Sequence, residues 1–284
     1  MEPRKKIARG IVGLDIGGTK MEAVLSSGQK IIRVQKARTP RNRRTFLKAV
    51  ANLIAAVAQG QNYAGVGLGL AGALDKRKGI VLNSPNLKFL NGWRIVAALE
   101  KIIHRLICLE NDANCFLLGE LAFGQARGKN NVVALTLGTG VGGAVFTEGK
   151  FLHGRHGAAG ELGHMIIDNQ KSVEDLVSSH SFQSDPLAVQ NAGFAGSKKA
   201  RAVYHRLGKN LGVALANYIN IFDPEIIILG GGIARAAPLF LPSAKAEMKK
   251  HTLLPPEKLP KIVISRLKYA AALGAATLVT KPLN

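Results

Sequence analysis

Two stretches decide the fold: Ile11-Val12-Gly13-Leu14-Asp15-Ile16-Gly17-Gly18-Thr19-Lys20 and Leu137-Gly138-Thr139-Gly140-Val141-Gly142-Gly143. Each reads as a buried apolar strand that ends in a glycine turn and returns as a second strand. Outward from the first, Met21–Leu25 and Ile31–Val34 read as strands joined by a turn at Ser26–Gln29. Thr45–Ala58 follows as a helix with Phe46, Leu47, Val50, Leu53, Ile54 and Val57 on one face. A strand at Val66–Leu70, an amphipathic helix at Arg94–Leu106, a strand at Leu106–Leu109 and a helix at Ala113–Phe123 complete the first half. The order then restarts. Val132–Leu137 and Val141–Phe146 are strands, Ala200–Phe222 is a long helix, and Ile226–Leu229 is a strand ending in Gly230-Gly231-Gly232. A helix over about 236–250, a strand at Ile262–Ser265 and an alanine-rich helix over about 270–280 follow. A pattern that occurs twice predicts an α/β architecture of two related domains. The expected division is a small N-terminal α/β domain, 1–111 plus 268–284, and a larger one, 112–267.

Composition narrows the class. The 284 residues are 47% hydrophobic and 20% charged, which excludes a disordered chain. No uncharged apolar run is long enough to span a membrane, and the basic start runs into Asp15 too soon for a secretory signal. Cys108 and Cys115 are the only cysteines, so a disulfide scaffold and a four-cysteine zinc site are excluded, and a cytoplasmic protein is expected. The unusual feature is charge: 39 Lys+Arg against 18 Asp+Glu, a net +21. That raises a polyanion as partner. The excess is heaviest at Arg4–Arg9 and Arg33–Lys48, while residues 121–180, which hold the second glycine loop, are balanced. It reads as a basic exterior, with Arg38–Arg44 the place to test a polyanion. No recognition helix or aromatic-basic motif supports a dedicated nucleic-acid-binding domain.

Glycines between two strands let backbone N–H groups approach an anion closely. In the first loop Asp15 suits a Mg²⁺-bound water, and Thr19 and Lys20 suit phosphate oxygens; the alternative is an ordinary hairpin. The second loop, Gly138-Thr139-Gly140, repeats the design, which implies a nucleotide in the cleft between the domains. Gly231 and Gly232 leave room for a nucleoside. No GxxxxGK[ST] motif occurs, against a Walker NTPase, and none of the glycine clusters is read as a dinucleotide-binding turn. Asp112 stands where a strand passes to a helix, placed either to cap that helix or to accept a hydroxyl proton. Asn83–Leu87 and Asn91-Gly92-Trp93 suit a polyol. Glu161 and His164, three apart among small residues, read better as hydrogen-bonding groups than as half of a metal site.

Asp15–Lys20, Ser84–Leu87 with Asn91-Gly92, Glu110–Asn114, Leu137–Gly143 and Gly157–His164 together resemble the ROK family of sugar kinases and repressors, bacterial glucokinases above all. The resemblance runs in order from about residue 11 to 280. It implies a two-domain actin-like ATPase (ribonuclease H-like) fold with an interdomain cleft, and transfer of the γ-phosphoryl group of ATP, with Mg²⁺, to the 6-hydroxyl of glucose or a related hexose. Carried over residue by residue, Asp112 is the base. Asn86, Asn91, Gly92, Asn111, Asp112, Glu161, His164 and Glu174 meet the sugar. Asp15, Gly17, Gly18, Thr19, Lys20, Gly138, Thr139, Gly140, Gly231 and Gly232 meet the nucleotide. A homodimer is implied as well.

The chain departs from the family where a cysteine-rich zinc hairpin normally follows the Gly-His pair. Here the segment reads Asp168-Asn169-Gln170-Lys171-Ser172-Val173-Glu174, with Ser172 where the last cysteine would stand. No structural zinc is expected, and a contact from Glu174 or the backbone to His164 is expected to hold the segment. Two rival readings remain: polyphosphate as the phosphoryl donor, and a non-catalytic sugar sensor. The hexose is not readable; N-acetylated hexoses, mannose and fructose stand beside glucose.

Overall fold

The computed structural model describes residues 10–280, so the basic run Arg4–Arg9 lies outside the described residues. The chain forms two units. The first runs through Arg127 and adds His153–Ala159 and the stretch from Leu267; the second is Gly128–Leu152 with Gly160–Arg266.

The first unit is built on three antiparallel strands, β1 (Gly10–Ile16), β2 (Lys20–Ser27) and β3 (Lys30–Arg38). After α1 (Arg43–Ala58) the chain returns as β4 (Tyr63–Leu70), parallel to β1. A small hairpin, β5 (Ala73–Asp75) and β6 (Ile80–Asn83), precedes α2 (Ile95–Ile103), and β7 (Ile107–Asn111) closes the order β3-β2-β1-β4-β7. The two parallel steps each cross over through a helix, as parallel pairing requires. Asn42 caps α1 by accepting the Thr45 N–H, and the helix buries Phe46, Val50, Leu53, Ile54 and Val57 against the sheet.

α3 (Asp112–Phe123) stays with the first unit, which corrects the expected break after residue 111. The reason is its packing on the C-terminal helix Ala270–Thr277. The two helices touch backbone to backbone: a Cβ at Gly119 would lie 2.2 Å from the Ala270 carbonyl oxygen, and one at Gly274 would lie 1.8 Å from that of Cys115. The same C-terminal helix lies flat on the sheet over Gly13 and Gly67, which pair across β1 and β4. A Cβ at Gly67 would stand 1.7 Å from the Ala275 carbonyl oxygen. No side chain fits there without moving the helix, so Gly67→Ala is expected to destabilise the unit by about 3 kcal/mol or more. Gly232→Ala, where a Cβ meets nothing within 4 Å, is expected to change stability by less than about 0.5 kcal/mol. Thermal melts of the two variants check this.

The second unit repeats the plan. β8 (Val132–Leu137), β9 (Val141–Thr147) and β10 (Lys150–Phe151) run antiparallel, and β13 (Ile226–Gly230) and β14 (Lys261–Ile264) add parallel strands in the order β10-β9-β8-β13-β14. Between them lie the hairpin β11 (Ile166–Asp168) and β12 (Lys171–Ser172), then α4 (Val173–Val177), α5 (Pro186–Phe194), α6 (Lys198–Phe222) and α7 (Ala237–His251). α6 and α7 pack on one another, and Tyr204, Leu211, Leu215, Tyr218 and Phe240 form the centre of the core beside β8 and β13. The expected helix and strand positions of this half are present, and α4 and α5 lie between the small hairpin and α6.

Candidate active site

In the first unit the turn Gly17-Gly18-Thr19 is a closed hairpin: the Gly17 N–H donates to the Lys20 carbonyl at 3.0 Å. Thr39, a residue the sequence did not single out, clamps it. Its hydroxyl donates to the Gly17 carbonyl at 2.7 Å and its N–H to the Thr19 carbonyl at 3.0 Å. Thr19 and Lys20 are exposed, and Lys20 pairs with Glu22 at 3.1 Å. Asn86 packs against Gly18.

Asp15 stands at the end of β1 beside Gly69 of β4. Burial first, then the Asp112 and Glu22 carboxylates, push its carboxyl up to about 7, with Lys20 opposing. Asp112 is the first residue of α3. The capping duty falls to Asn111, whose side-chain oxygen accepts the N–H groups of Ala113 and Asn114 at 2.9 and 3.1 Å. Asp112 itself accepts the Ala113 N–H at 2.9 Å. Asn111 also donates to the Gly72 carbonyl at 3.2 Å, so both ends of its amide are engaged in the fold. Asn91 is similarly used: its oxygen accepts the Ser84 N–H at 2.8 Å and its amide donates to Asn83 at 3.1 Å. Gly92 turns the chain at φ +72°. Arg43, from the basic cluster, donates to the Phe89 and Asn91 carbonyls and lies over the Trp93 ring.

Behind Asp112 lies a network that motif reading missed. Glu110 is 2% exposed and binds the Lys76 ammonium at 2.6 Å; Lys76 also meets His153 Nε2 at 2.7 Å. The other Glu110 oxygen accepts the Asn111 N–H and the Asn114 amide at 2.9 and 3.0 Å. Burial alone would raise the Glu110 carboxyl, but His153, Lys76 and Asn114 outweigh it and hold it down at about 2. A permanently charged Glu110 therefore anchors the first turn of α3. Its signal in the sequence was a glutamate inside an apolar strand.

In the second unit the loop Gly138-Thr139-Gly140 closes with the Gly138 N–H on the Gly140 carbonyl at 2.9 Å. Glu174, at the start of α4, accepts the Val141 N–H at 2.8 Å and lies against Gly140. Gly231 abuts the same loop. It has φ +88°, and a Cβ there would lie 2.2 Å from the Leu137 carbonyl oxygen, so only glycine fits. Gly232 is exposed and open.

Glu161 and His164 face one another at 4.0 Å. Burial, then Glu174, raises the Glu161 carboxyl against the pull of His164. The expected link from Glu174 to His164 is replaced by the Glu174–Val141 bond. The segment is held instead by a capping box between Ser172 and Asp175, by the Val173 N–H on the Met165 carbonyl at 2.9 Å, and by the Tyr218 hydroxyl on the Leu162 carbonyl at 2.8 Å. Asn169 and Gln170, both at positive φ, close the hairpin that stands in the cysteine segment's place. Among the described residues no three His, Cys, Asp or Glu side chains gather as metal ligands, and no helix is long and apolar enough to cross a membrane.

Two five-stranded sheets of one strand order, each opened by a hairpin with a glycine turn, define an actin-like ATPase fold. The chain belongs to the ROK family, whose model matches residues 11–282. It is similar to a glucokinase of Thermotoga maritima, 31% identical with 96% of this chain and 98% of that one covered. It is also 31% identical to an N-acetyl-D-glucosamine kinase of Photobacterium profundum, over 95% and 99%. Among solved structures it resembles a ROK family glucokinase from Streptomyces griseus in complex with glucose and AMPPNP, at TM-score 0.84 and 25% identity, covering 95% and 98%.

Proposed function

We propose that the chain is a sugar kinase that transfers the γ-phosphoryl group of ATP to the 6-hydroxyl of a hexose, glucose first, with Asp112 as base. The observation that carries this is Asp112 itself: a carboxylate at a helix N-terminus, relieved of capping by Asn111 and anchored through Glu110. The sugar oxygen attacks the γ-phosphorus, its proton passes to the Asp112 carboxylate, and the bond to the bridging oxygen breaks with its electron pair leaving on ADP. Asn86, Glu161 and His164 hold sugar hydroxyls. Asn91, Gly92 and Asn111 shape the sugar side through the backbone they fix.

The turns Gly17-Gly18-Thr19 and Gly138-Thr139-Gly140 offer backbone N–H groups to phosphates, and Gly231-Gly232 receive the nucleoside. The residues present fit a magnesium nucleotide, because the crowding that keeps Asp15 protonated to about pH 7 is what a divalent cation relieves. Bound Mg²⁺ would supply neutralisation of the phosphate oxygens near Asp15.

ADP release measured over a panel of glucose, N-acetylglucosamine, N-acetylmannosamine, mannose and fructose tests the reading. Phosphorylation with polyphosphate and not ATP would reassign the donor. Sugar binding with no ADP released from ATP would make the chain a sensor.

Glu174 separates two roles. If it supports the nucleotide loop through Val141, Glu174→Ala raises the KM for ATP by about tenfold while Glu174→Gln, which keeps an acceptor, stays near wild type. A rise in sugar KM in Glu174→Gln would assign Glu174 to the hexose.

A further inference from the structure

The outer edge of β7, α2, the β5–β6 turn and the loop His153–Gly157 surround an open cavity of about 1040 Å³ in the first unit. None of its lining residues belongs to the sugar or nucleotide groups assigned above. Four cations line it: Lys76, Arg77 and Lys78 from the turn and Arg155 from the loop, with His156 next to Arg155 in the chain. Each acid of the lining is already engaged. Asp75 takes the Lys78 N–H at 3.0 Å and its ammonium at 3.6 Å, Glu100 takes the Ile107 N–H at 3.2 Å, and Glu110 takes Lys76. Arg77 and Arg155 are exposed and make no hydrogen bond or ion pair among the described residues.

The lining also holds apolar side chains, Leu82, which is 43% exposed, with Val96 and Leu278. Both cationic segments have fixed backbones. Gly157 lies so close to β5 that a Cβ would stand 2.5 Å from the Leu74 carbonyl oxygen, and the Ala159 N–H closes the loop on the His153 carbonyl at 3.2 Å. The turn is tied to α2 by the Val96 N–H on the Gly79 carbonyl at 3.3 Å. Two uncompensated guanidinium groups on fixed backbone, lining one cavity with apolar side chains, suit an anion with an apolar body.

We propose that this cavity is a binding site for an organic phosphate, with Arg77 and Arg155 on the phosphate and Leu82, Val96 and Leu278 against its apolar part. It does not depend on the kinase reading. Its position matters because Lys76, on the same turn, holds the glutamate that anchors the Asp112 helix.

Titration calorimetry of the full chain with 1-naphthyl phosphate at low salt tests it. Saturable one-site binding is expected, weakened about tenfold or more in Arg77→Ala/Arg155→Ala and, independently, in Leu82→Glu. Inorganic phosphate and 1-naphthol, each lacking one half of the ligand, are expected to bind more weakly. The proposal is overturned by no binding of 1-naphthyl phosphate, by unchanged affinity in folded variants, by inorganic phosphate binding as tightly, or by displacement with a saturating non-hydrolysable ATP analogue.

Discussion

Asp112→Asn is expected to lower kcat by ~10²-fold or more, with the dissociation constant of the sugar nearly unchanged. Asparagine keeps the shape of the side chain and can still accept the Ala113 N–H that Asp112 accepts at 2.9 Å. What it loses is the capacity to take a proton. The change also removes a negative charge from beside Asp15, where the two carboxylates repel. A thermal melt of the variant beside the wild type separates a loss of turnover from a loss of fold. Single-turnover ADP release together with sugar titration checks both halves. Turnover near wild type would remove Asp112 as the base and with it the proposed reaction.

The succession of elements and the repeated design were legible because both rest on local pattern: apolar runs of strand length, glycine turns between them and helices before the later strands. The boundary between the units was not. The sequence marks Glu110–Asn114 as a transition, and it is one, from strand to helix, but whether α3 turns toward one unit or the other depends on Gly119 and Gly274 meeting the helix Ala270–Thr277. That contact joins residues about 150 positions apart and leaves no periodic trace.

The site shows a similar division. Asp15, Asp112, Glu161 and the glycine loops could be picked out because their chemistry is carried by residue type. Asn91 was chosen for the same reason and Asn111 through the family resemblance, yet their amides are engaged by Ser84, Asn83, Gly72 and the first turn of α3. A polar side chain that satisfies backbone groups is indistinguishable in sequence from one that waits for a ligand. Thr39 and the Lys76–Glu110–His153 network escaped notice for the converse reason, since each acts on residues far from it in the chain.

Asp15→Asn is expected to stabilise the first unit at pH 8 and to abolish the activity. In the folded chain burial and the Asp112 and Glu22 charges hold the Asp15 proton up to about pH 7, against 3.8 for a free aspartate. Between those values the folded state binds more protons than the unfolded one, so this group makes stability fall as pH rises through the window, and the full penalty is present above 7. A shift of that size corresponds to at most about 4 kcal/mol, and asparagine carries none of it. Denaturant unfolding should show a gain of about 2–4 kcal/mol for the variant at pH 8, shrinking toward zero near pH 4. Equal stability of the two proteins at pH 8 would show that Asp15 is ionised without strain. The same carboxylate is the group proposed to hold the magnesium nucleotide, which requires it charged. Binding of Mg²⁺-nucleotide to the wild type should therefore tighten between pH 6 and 8 and release a proton, measurable as a buffer-dependent heat, and neither effect should survive in Asp15→Asn. A residue that weakens the fold in its ionised form, at the pH where the proposed reaction needs it ionised, is kept for what it binds.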